Sequence, residues 1–251
     1  MNDRRDDRPP FMLAPPVPPT PPAPPAPPAP PAPPAPLAAR AGPAVEPAGE
    51  VVELHAPLRP EDVDRLRAGM RVLLTGELYA ARDAAHARLY ELLTAAPPGA
   101  GTPTPATPGL PFDLRGAVVY YVGPTPPPPG RVIGSAGPTT AGRMDRFTPA
   151  LIRAGIRGMI GKGSRSAAVK QAMQQYGAVY FAAVGGAGVL LARHIKEVET
   201  IAYEDLGPEA IRRLWVEKFP VIVAIDRYGS DLYAMARSAW RSRGENRAGG
   251  S

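Results

Sequence analysis

The 251-residue sequence predicts an α/β fold. Short runs of β-branched and aromatic residues recur along the chain, as in Ala-Val-Val-Tyr-Tyr-Val at 117–122. Segments with helical periodicity lie between these runs, and the clearest of them covers residues 80–95. Glycine or proline stands at most of the junctions, where the chain has to turn. This alternation of strands and helices is typical of a sheet whose strands are joined by helices.

The N-terminal part of the chain is predicted to lie outside the fold. The chain contains 36 prolines, and residues 18–36 form a Pro-Pro-Ala repeat without an apolar period. Such a repeat adopts an extended polyproline II conformation and has nothing to bury. We therefore expect a disordered Pro/Ala-rich arm at 1–49, one folded domain at 50–238 and a flexible tail at 239–251.

The first half of the domain is predicted to contain three strands and two helices. In order these are a strand at 51–54, a helix at 60–69, a strand at 71–78, a helix at 80–95 and a strand at 117–122. The first helix begins with proline and two acidic residues, which favour a helix N-terminus. Arg82 lies in the first turn of the second helix, with His86 one turn later on the same face. The segment 97–111 is rich in proline, glycine and threonine, and we interpret it as a surface insertion.

The second half of the domain continues the alternation. Its predicted elements are a helix at 144–154, a strand at 157–160, a helix at 167–176, a strand at 178–184, a short helix ending at Ala192, a strand at 198–203, a helix at 206–216 and a strand at 219–226. Ser164 or Ser166 is expected to cap the helix at 167–176, and Gly177 to end it. Proline at the start of the 206–216 segment is the signal for a helix there.

The segment Gly-Pro-Thr-Thr-Ala-Gly-Arg at 137–143 is the first candidate for a functional site. Its glycines and proline bend the backbone so that it can approach a small molecule closely. The loop leads into the predicted helix at 144–154, and a helix N-terminus is a natural place for an anion. Arg143 can hold a carboxylate or a phosphate through two parallel hydrogen bonds. A helix-capping turn with an exposed arginine is the alternative.

Three strand-to-helix loops carry a cation close to glycine or a hydroxyl, at Arg82, at 139–143 and at Lys162. In α/β folds such loops lie at one edge of the sheet and can converge on a ligand. The pattern favours a polycarboxylate or phosphate site, with solvated surface cations as the alternative. The Gly-Gly-Ala-Gly turn at 185–188 lacks the third glycine of a dinucleotide-binding loop, and we interpret it mainly as tight backbone packing.

Composition excludes several other kinds of site. The chain has no cysteine, so it has no disulfide, no thiolate nucleophile and no iron–sulfur cluster held by its own thiolates. Its three histidines lack metal-ligand spacing. The net charge is +6, but the basic residues are scattered without interleaved aromatics, so we expect no nucleic-acid partner. No apolar run is long enough to span a membrane or to form a signal peptide, and we expect a cytoplasmic protein.

Several motifs occur in the same order as in a known family. The chain resembles the β subunit, or C-terminal domain, of class I iron–sulfur hydro-lyases, which are the fumarate hydratases and L(+)-tartrate dehydratases. The resemblance covers about residues 50–235 and rests on Thr-Gly at 75–76, Ala-Arg-Asp-Ala-Ala-His at 81–86, Tyr-Tyr-Val-Gly-Pro at 120–124, Gly-Pro-Thr-Thr-Ala-Gly-Arg-Met-Asp at 137–145, Gly-Lys-Gly at 161–163, Gly-Gly at 185–186 and Phe-Pro at 219–220. The proline-rich arm and the 97–111 insertion lie outside these motifs.

The resemblance implies a three-layer β/β/α swivelling domain that closes over a C4 dicarboxylate. It implies substrate-carboxylate ligands at Arg82, Arg143 and Lys162. It also implies a catalytic base at Thr139, for which a substrate hydrogen-bond donor is the alternative because a free hydroxyl is a poor proton acceptor.

The resemblance further implies a hetero-oligomer in which a separate α subunit holds a [4Fe-4S] cluster and this chain binds no cofactor. The implied activity is the reversible hydration of fumarate to (S)-malate. An L(+)-tartrate dehydratase β subunit and a non-catalytic dicarboxylate-binding module are the alternatives.

Overall fold

The computed structural model describes three stretches of the chain, residues 51–95, 109–184 and 186–248, with side chains as far as residue 240. The arm predicted at 1–49, residues 97–108 of the insertion and Gly185 lie outside the described residues. None of the helices in the described stretches is long and apolar enough to cross a membrane.

Within the described stretches, seven strands form one mixed sheet, and the predicted α/β class is confirmed. The strands are β1 (Val52–Ala56), β2 (Arg71–Ala80), β3 (Val118–Tyr120), β4 (Gly158–Gly161), β5 (Val179–Ala182), β6 (Ile195–Ala202) and β7 (Ile211–Ile225). Strands β1 to β5 are parallel neighbours in chain order. The long strand β7 runs antiparallel to β2, β5 and β6. Because β7 pairs with both β2 and β5, strands β2, β3, β4, β5 and β7 close into a ring.

In the part of the chain that the structure describes, six helices connect or follow the strands. They are α1 (Pro60–Asp64), α2 (Asp83–Thr94), α3 (Thr148–Arg153), α4 (Ala167–Tyr176), α5 (Gly188–Ala192) and α6 (Leu232–Ala248). Two 3₁₀ segments lie at Ala141–Met144 and Glu204–Glu209. Helix α4 begins as predicted, because the Ser166 hydroxyl accepts a hydrogen bond from the backbone N–H of Val169. It also ends as predicted, with Gly177 in the left-handed conformation at φ 69°.

Two hydrophobic cores follow from the alternation of side chains along the strands. Met159 of β4 packs in a cluster with Leu89 of α2 and Met173 of α4, which is the core beneath the helices. The next residue, Ile160, packs in a second cluster that includes Phe219 of β7. The second cluster draws on all seven strands, so it fills the space that the sheet encloses.

The helix predicted at 206–216 is wrong, because strand β7 begins at Ile211. Buried Leu214 and Val216 alternate with exposed neighbours, which is the period of a strand. Pairing with β2 over nearly its whole length stabilises this conformation. The Gly-Pro signal at 207–208 belongs to the preceding 3₁₀ segment, where Gly207 has a positive φ of 55°.

Other predicted helix boundaries also differ from the structure. Helix α1 ends at Asp64, five residues before the predicted end at 69, and a turn leads on to β2. Helix α3 begins at Thr148 and not at the predicted 144, and Asp145 is the C-cap residue of the preceding 3₁₀ turn. Helix α6 spans residue 238, and the division into a domain and a flexible tail stays a prediction.

Candidate active site

The predicted site residues lie at the edge of the sheet where parallel strands end. Strands β2, β3 and β4 are parallel neighbours, so the loops that follow them emerge on the same side. Arg82 follows β2, Tyr121 follows β3 and Lys162 follows β4. The long connection between β3 and α3 brings Thr139 and Arg143 back to this edge, as the hydrogen bonds below show.

Main-chain hydrogen bonds hold the threonine loop between the ends of β3 and β4. The backbone N–H of Thr139 donates to the carbonyl of Tyr121 at 2.7 Å. Lys162 N–H donates to the Thr139 carbonyl at 3.2 Å, and Ala141 N–H donates to the Lys162 carbonyl at 2.9 Å. Thr139 and Lys162 are therefore neighbours through bonds that do not depend on their side chains.

Arg143 is an exposed residue on the short 3₁₀ segment Ala141–Met144. The expectation that this loop opens an α-helix at residue 144 is wrong, because α3 starts at Thr148 and has only six residues. An anion at this loop would therefore meet the side chains of Arg143 and Lys162 and not the positive end of a helix. Lys162 is exposed as well, so both cations are accessible at the edge of the sheet.

Two glycines allow the Lys162 loop to pack closely against the rest of the site. A Cβ atom at Gly161 would lie 2.9 Å from Cδ2 of Tyr121 and 3.2 Å from Cβ of Ala141. Gly163 has φ 86°, a conformation that glycine adopts without steric strain. The hydroxyl of Tyr180 donates to the carbonyl of Gly163 at 3.0 Å. The Gly-Lys-Gly motif thus places Lys162 on a loop that packs closely against Tyr121 and accepts a hydrogen bond from Tyr180.

Arg82 is the N-cap residue of α2, and an internal carboxylate binds its guanidinium. Nη2 of Arg82 lies 3.2 Å from Oε1 of Glu209, and the other carboxylate oxygen accepts the Ala84 N–H at 3.0 Å. The arginine stem lies across Gly123, where a Cβ atom would come within 2.9 Å of Cδ and Nη1 of Arg82. Nε of Arg82 is buried without a hydrogen-bond partner among the described residues. The arginine predicted to bind a substrate carboxylate therefore already binds a carboxylate.

His86 supports Arg82 from the core and carries no charge at neutral pH. Its side chain is buried, and its Nδ1 lies 2.8 Å from the carbonyl oxygen of Arg82. The ring meets the Tyr121 ring edge-on at 5.2 Å. Burial lowers the pKa of His86 to about 4. These contacts give His86 a structural role in the core.

The glycine-rich turn after β5 packs against the loop that leads to the site. A Cβ atom at Gly188 would lie 2.4 Å from the hydroxyl of Ser135 and 2.8 Å from the nitrogen of Gly137. The Ala136 N–H also donates to the Gly188 carbonyl at 3.1 Å. At this position the structure agrees with tight backbone packing.

Two charged groups next to the site could not be found from the sequence. Arg165 precedes the cap of α4, and its side chain is fully buried. Glu209 reaches Ala84 across 125 residues of chain, a contact that no local pattern indicates. Burial opposes the charge of Arg165, but Tyr121 and Asp145 outweigh it and raise its pKa. The guanidinium of Arg165 is therefore protonated and paired with the Asp145 carboxylate next to the site.

The side chains of this chain do not fit an iron–sulfur cluster. Such clusters are bound mainly by cysteine thiolates, and the sequence contains none. No group of His, Asp or Glu in the described stretches is arranged to hold a metal ion. Any cluster that acts on this edge of the sheet must therefore be held by other ligands.

A comparison with protein families now identifies the chain. A family model described as Fumarase C-terminus matches residues 34–236. The chain belongs to the fumarase C-terminal family. The resemblance inferred from the ordered motifs is thereby confirmed, and the Gly-Pro-Thr-Thr-Ala-Gly-Arg loop falls within the matched region.

Relatives in this family are named as hydro-lyases. Fumarate hydratase 1, mitochondrial, of Leishmania major is 39% identical over 188 residues, which are 73% of this chain and 32% of that protein. Fumarate hydratase class I, anaerobic, of Escherichia coli (strain K12) is 37% identical over 72% of this chain and 32% of that protein. The L(+)-tartrate dehydratase subunit beta of the same organism is 31% identical over 76% of this chain and 90% of that subunit. The chain thus spans about a third of these fumarate hydratases and most of the tartrate dehydratase subunit.

Proposed function

We propose that this chain is the β subunit of a two-chain iron–sulfur hydro-lyase that catalyses the reversible hydration of fumarate to (S)-malate. The observation that carries the proposal is the junction of Thr139, Arg143 and Lys162 at one edge of the sheet. A C4 dicarboxylate brings two negative charges, and cations at fixed positions stabilise such charge best in a closed site. Exposed Arg143 and Lys162 offer those charges on adjoining loops.

In this proposal Arg82, Arg143 and Lys162 bind the carboxylates of the substrate. The hydroxyl of Thr139 exchanges the proton on the carbon next to a carboxylate, which is lost in dehydration and gained in hydration. A hydroxyl is a weak base, so this role needs cations that stabilise the alkoxide, and Lys162 is joined to Thr139 by a backbone hydrogen bond. Donation of a hydrogen bond to the substrate is the other role we consider for Thr139.

The proposal also assigns the parts that lie outside this chain. We propose that an α subunit holds a [4Fe-4S] cluster, that the two chains form a hetero-oligomer, and that the assembly is cytoplasmic. The absence of cysteine and the similarity to a protein named as a subunit beta support this division. We further propose that the closed sheet and its helices act as a three-layer β/β/α swivelling domain that closes over the substrate.

L(+)-tartrate dehydration is the second candidate function. The chain covers 90% of the tartrate dehydratase subunit beta of Escherichia coli, which favours this alternative, whereas its identity to that subunit, 31%, is lower than the 39% and 37% to the two fumarate hydratases named above. Both substrates are C4 dicarboxylates, so the same cations suit either one. A dicarboxylate-binding module without catalysis is the remaining alternative.

The test is steady-state kinetics of the full chain assembled with its cluster-bearing partner, using fumarate, malate and L(+)-tartrate. Arg143→Lys keeps the charge but loses the planar fork, and we expect turnover to fall about 30- to 1000-fold. Arg146→Lys is the matched control, since Arg146 is exposed on the same segment and its guanidinium lies over the Phe147 ring at 4.3 Å. We expect the control to retain turnover within about twofold.

Thr139→Val is nearly isosteric and tests the hydroxyl separately. It should lower kcat more than it raises KM if the hydroxyl acts in the transition state. Wild-type turnover in both Arg143→Lys and Thr139→Val would remove this loop from the active site. Tight dicarboxylate binding by an assembly without any lyase activity would favour the binding module.

A further inference from the structure

Arg165 is the most deeply buried charge next to the candidate site. Its side chain has no exposed surface. Nε donates to Oδ1 of Asp145 at 2.7 Å, Nη2 donates to the hydroxyl of Thr148 at 2.9 Å, and Nη1 donates to the hydroxyl of Tyr121 at 3.2 Å. All three nitrogens of the guanidinium are therefore used, each toward a different residue.

These contacts join the loops that carry the three central site residues. Asp145 is the C-cap residue of the 3₁₀ turn that carries Arg143, and its second oxygen accepts the backbone N–H of Ser166 at 2.6 Å. Arg165 itself follows Lys162 on the loop after β4. Tyr121, the third partner, accepts the backbone N–H of Thr139 through its carbonyl. One arginine on the loop that carries Lys162 thus contacts Asp145 at the end of the Arg143 turn and Tyr121, the residue that anchors Thr139.

A buried ion pair of this kind contributes geometry more than stability. Well-packed apolar side chains often match or exceed the stability of a buried charge pair, because removing two charges from water is costly. The guanidinium, in contrast, donates from three nitrogens held in one plane, whereas the three donors of an ammonium group rotate about a single nitrogen. The guanidinium also lies 5.0 Å from the centre of the Tyr180 ring, whose hydroxyl binds the carbonyl of Gly163.

We infer that Arg165 is a positioning residue, which sets the spacing and orientation of Arg143 and Lys162 for the two carboxylates of the substrate. The inference rests on the proposed function, because it assumes that these two cations bind a dicarboxylate. The fully buried Arg165 side chain would act through Asp145 on the turn at 141–145, through Tyr121 on Thr139, and through its own place in the chain three residues after Lys162.

Arg165→Lys and Asp145→Asn test the inference from both sides of the ion pair. Arg157→Lys is the matched control, since Arg157 stands directly before β4, at the end opposite to Lys162. It is partly buried and donates to the carbonyls of Ile152 and Ile156. The control makes the same arginine-to-lysine change in a partly buried side chain at the other end of β4, away from the site.

The main readout is the division between KM and kcat in the assembled two-chain enzyme, at a temperature well below every melting midpoint. In Arg165→Lys we expect KM for fumarate to rise about tenfold and kcat/KM to fall about 100-fold, as expected for a displaced binding group. A purely structural role would lower the amount of active enzyme, which reduces kcat and leaves KM unchanged. If Arg165→Lys does not fold, Asp145→Asn carries the same KM test.

A second readout is calorimetric binding of succinate, a dicarboxylate that cannot be hydrated. We expect a dissociation constant about tenfold higher in Arg165→Lys than in Arg157→Lys. Amide hydrogen exchange of the full chain should be faster at residues 139–145 and 161–166 in Arg165→Lys only.

These readouts separate the inference from the proposed function. An inactive wild-type assembly overturns the proposed function, while succinate binding and hydrogen exchange still test the positioning role. Unchanged KM and succinate affinity in Arg165→Lys, with exchange equal to that of Arg157→Lys, overturn the inference whatever the activity.

Discussion

The pairing of Arg82 with Glu209 gives the most informative prediction. If Arg82 binds a substrate carboxylate, the carboxylate of Glu209 competes for the same guanidinium, from which it lies 3.2 Å away. Glu209→Gln removes the competing charge and keeps the size of the side chain. We therefore expect a lower KM for fumarate and malate in this variant.

The magnitude follows from the contacts of Glu209. Its carboxylate makes one charged contact with Arg82 and one hydrogen bond to the N–H of Ala84, near the positive end of α2. Both charged side chains are about a fifth exposed, so solvent screens part of the attraction. A net interaction of about 1–2 kcal/mol is then reasonable, and its loss corresponds to a KM about 5- to 30-fold lower. Because the helix cap weakens as well, the melting temperature should fall by about 2–4 °C.

Asp205→Asn is the control for this prediction. Asp205 lies on the same 3₁₀ segment and binds Arg88 of the same helix, with Nη1 of Arg88 2.8 Å from Oδ1 of Asp205. We expect a similar or smaller loss of stability and no change in KM, since Arg88 lies about 1.7 turns beyond Arg82 along α2. Steady-state kinetics and melting curves of both variants provide the measurement. An unchanged or higher KM in a folded Glu209→Gln enzyme would show that Glu209 orients Arg82 and does not compete with the substrate.

Two further predictions concern stability. Burial lowers the pKa of His86 to about 4, so between about pH 4 and pH 6.5 the unfolded chain binds more protons and stability falls as the pH falls. We expect denaturant titrations to show a free energy of unfolding about 2 kcal/mol lower at pH 5 than at pH 7.5, and we expect this difference to be absent in His86→Phe. If the free energy of unfolding changes with pH equally in the wild type and in His86→Phe, then His86 is not responsible. Gly188→Ala should cost about 1–3 kcal/mol, because the added carbon meets the Gly137 nitrogen at 2.8 Å. Gly142→Ala meets no atom within 4 Å and should change the melting curve little, and equal effects of the two would contradict the packing argument.

Local signals were sufficient where an element is specified by its own residues. Helix α4 has its cap at Ser166 and its end at Gly177, and both are visible in the sequence. The start of strand β7 was predicted as a helix because proline and glutamate at 208–209 are typical of a helix N-terminus. Pairing with β2 determines the strand conformation instead. That pairing joins residues more than 130 positions apart, such as Ala80 and Arg212, and no local pattern contains it.

The sequence likewise predicts some features of the candidate site and not others. The alternation of strands and helices indicates parallel strands, and parallel strands place Arg82 and Lys162 at one edge of the sheet. The contact between Arg82 and Glu209 does not follow, because Glu209 comes from a distant part of the chain. The contact between Arg165 and Tyr121 does not follow either, because the two residues are 44 positions apart. A glutamate on a polar 3₁₀ segment has no sequence property that marks it as the partner of an arginine.

The three candidate cations differ in what they bind before a substrate arrives. Within the described residues, Arg82 pairs with Glu209 and, at 3.7 Å, with Asp83, whereas Arg143 and Lys162 form no ion pair there. Under the proposed function, a dicarboxylate therefore meets the two exposed cations first, where attraction is not opposed by an internal acid. Its second carboxylate would compete with Glu209 for Nη2 of Arg82, so the arginine can pass from one carboxylate to another without remaining unpaired in a partly buried setting. Such a competition would lower the net gain from Arg82 and make affinity depend more on Arg143 and Lys162, whose positions we propose that Arg165 sets.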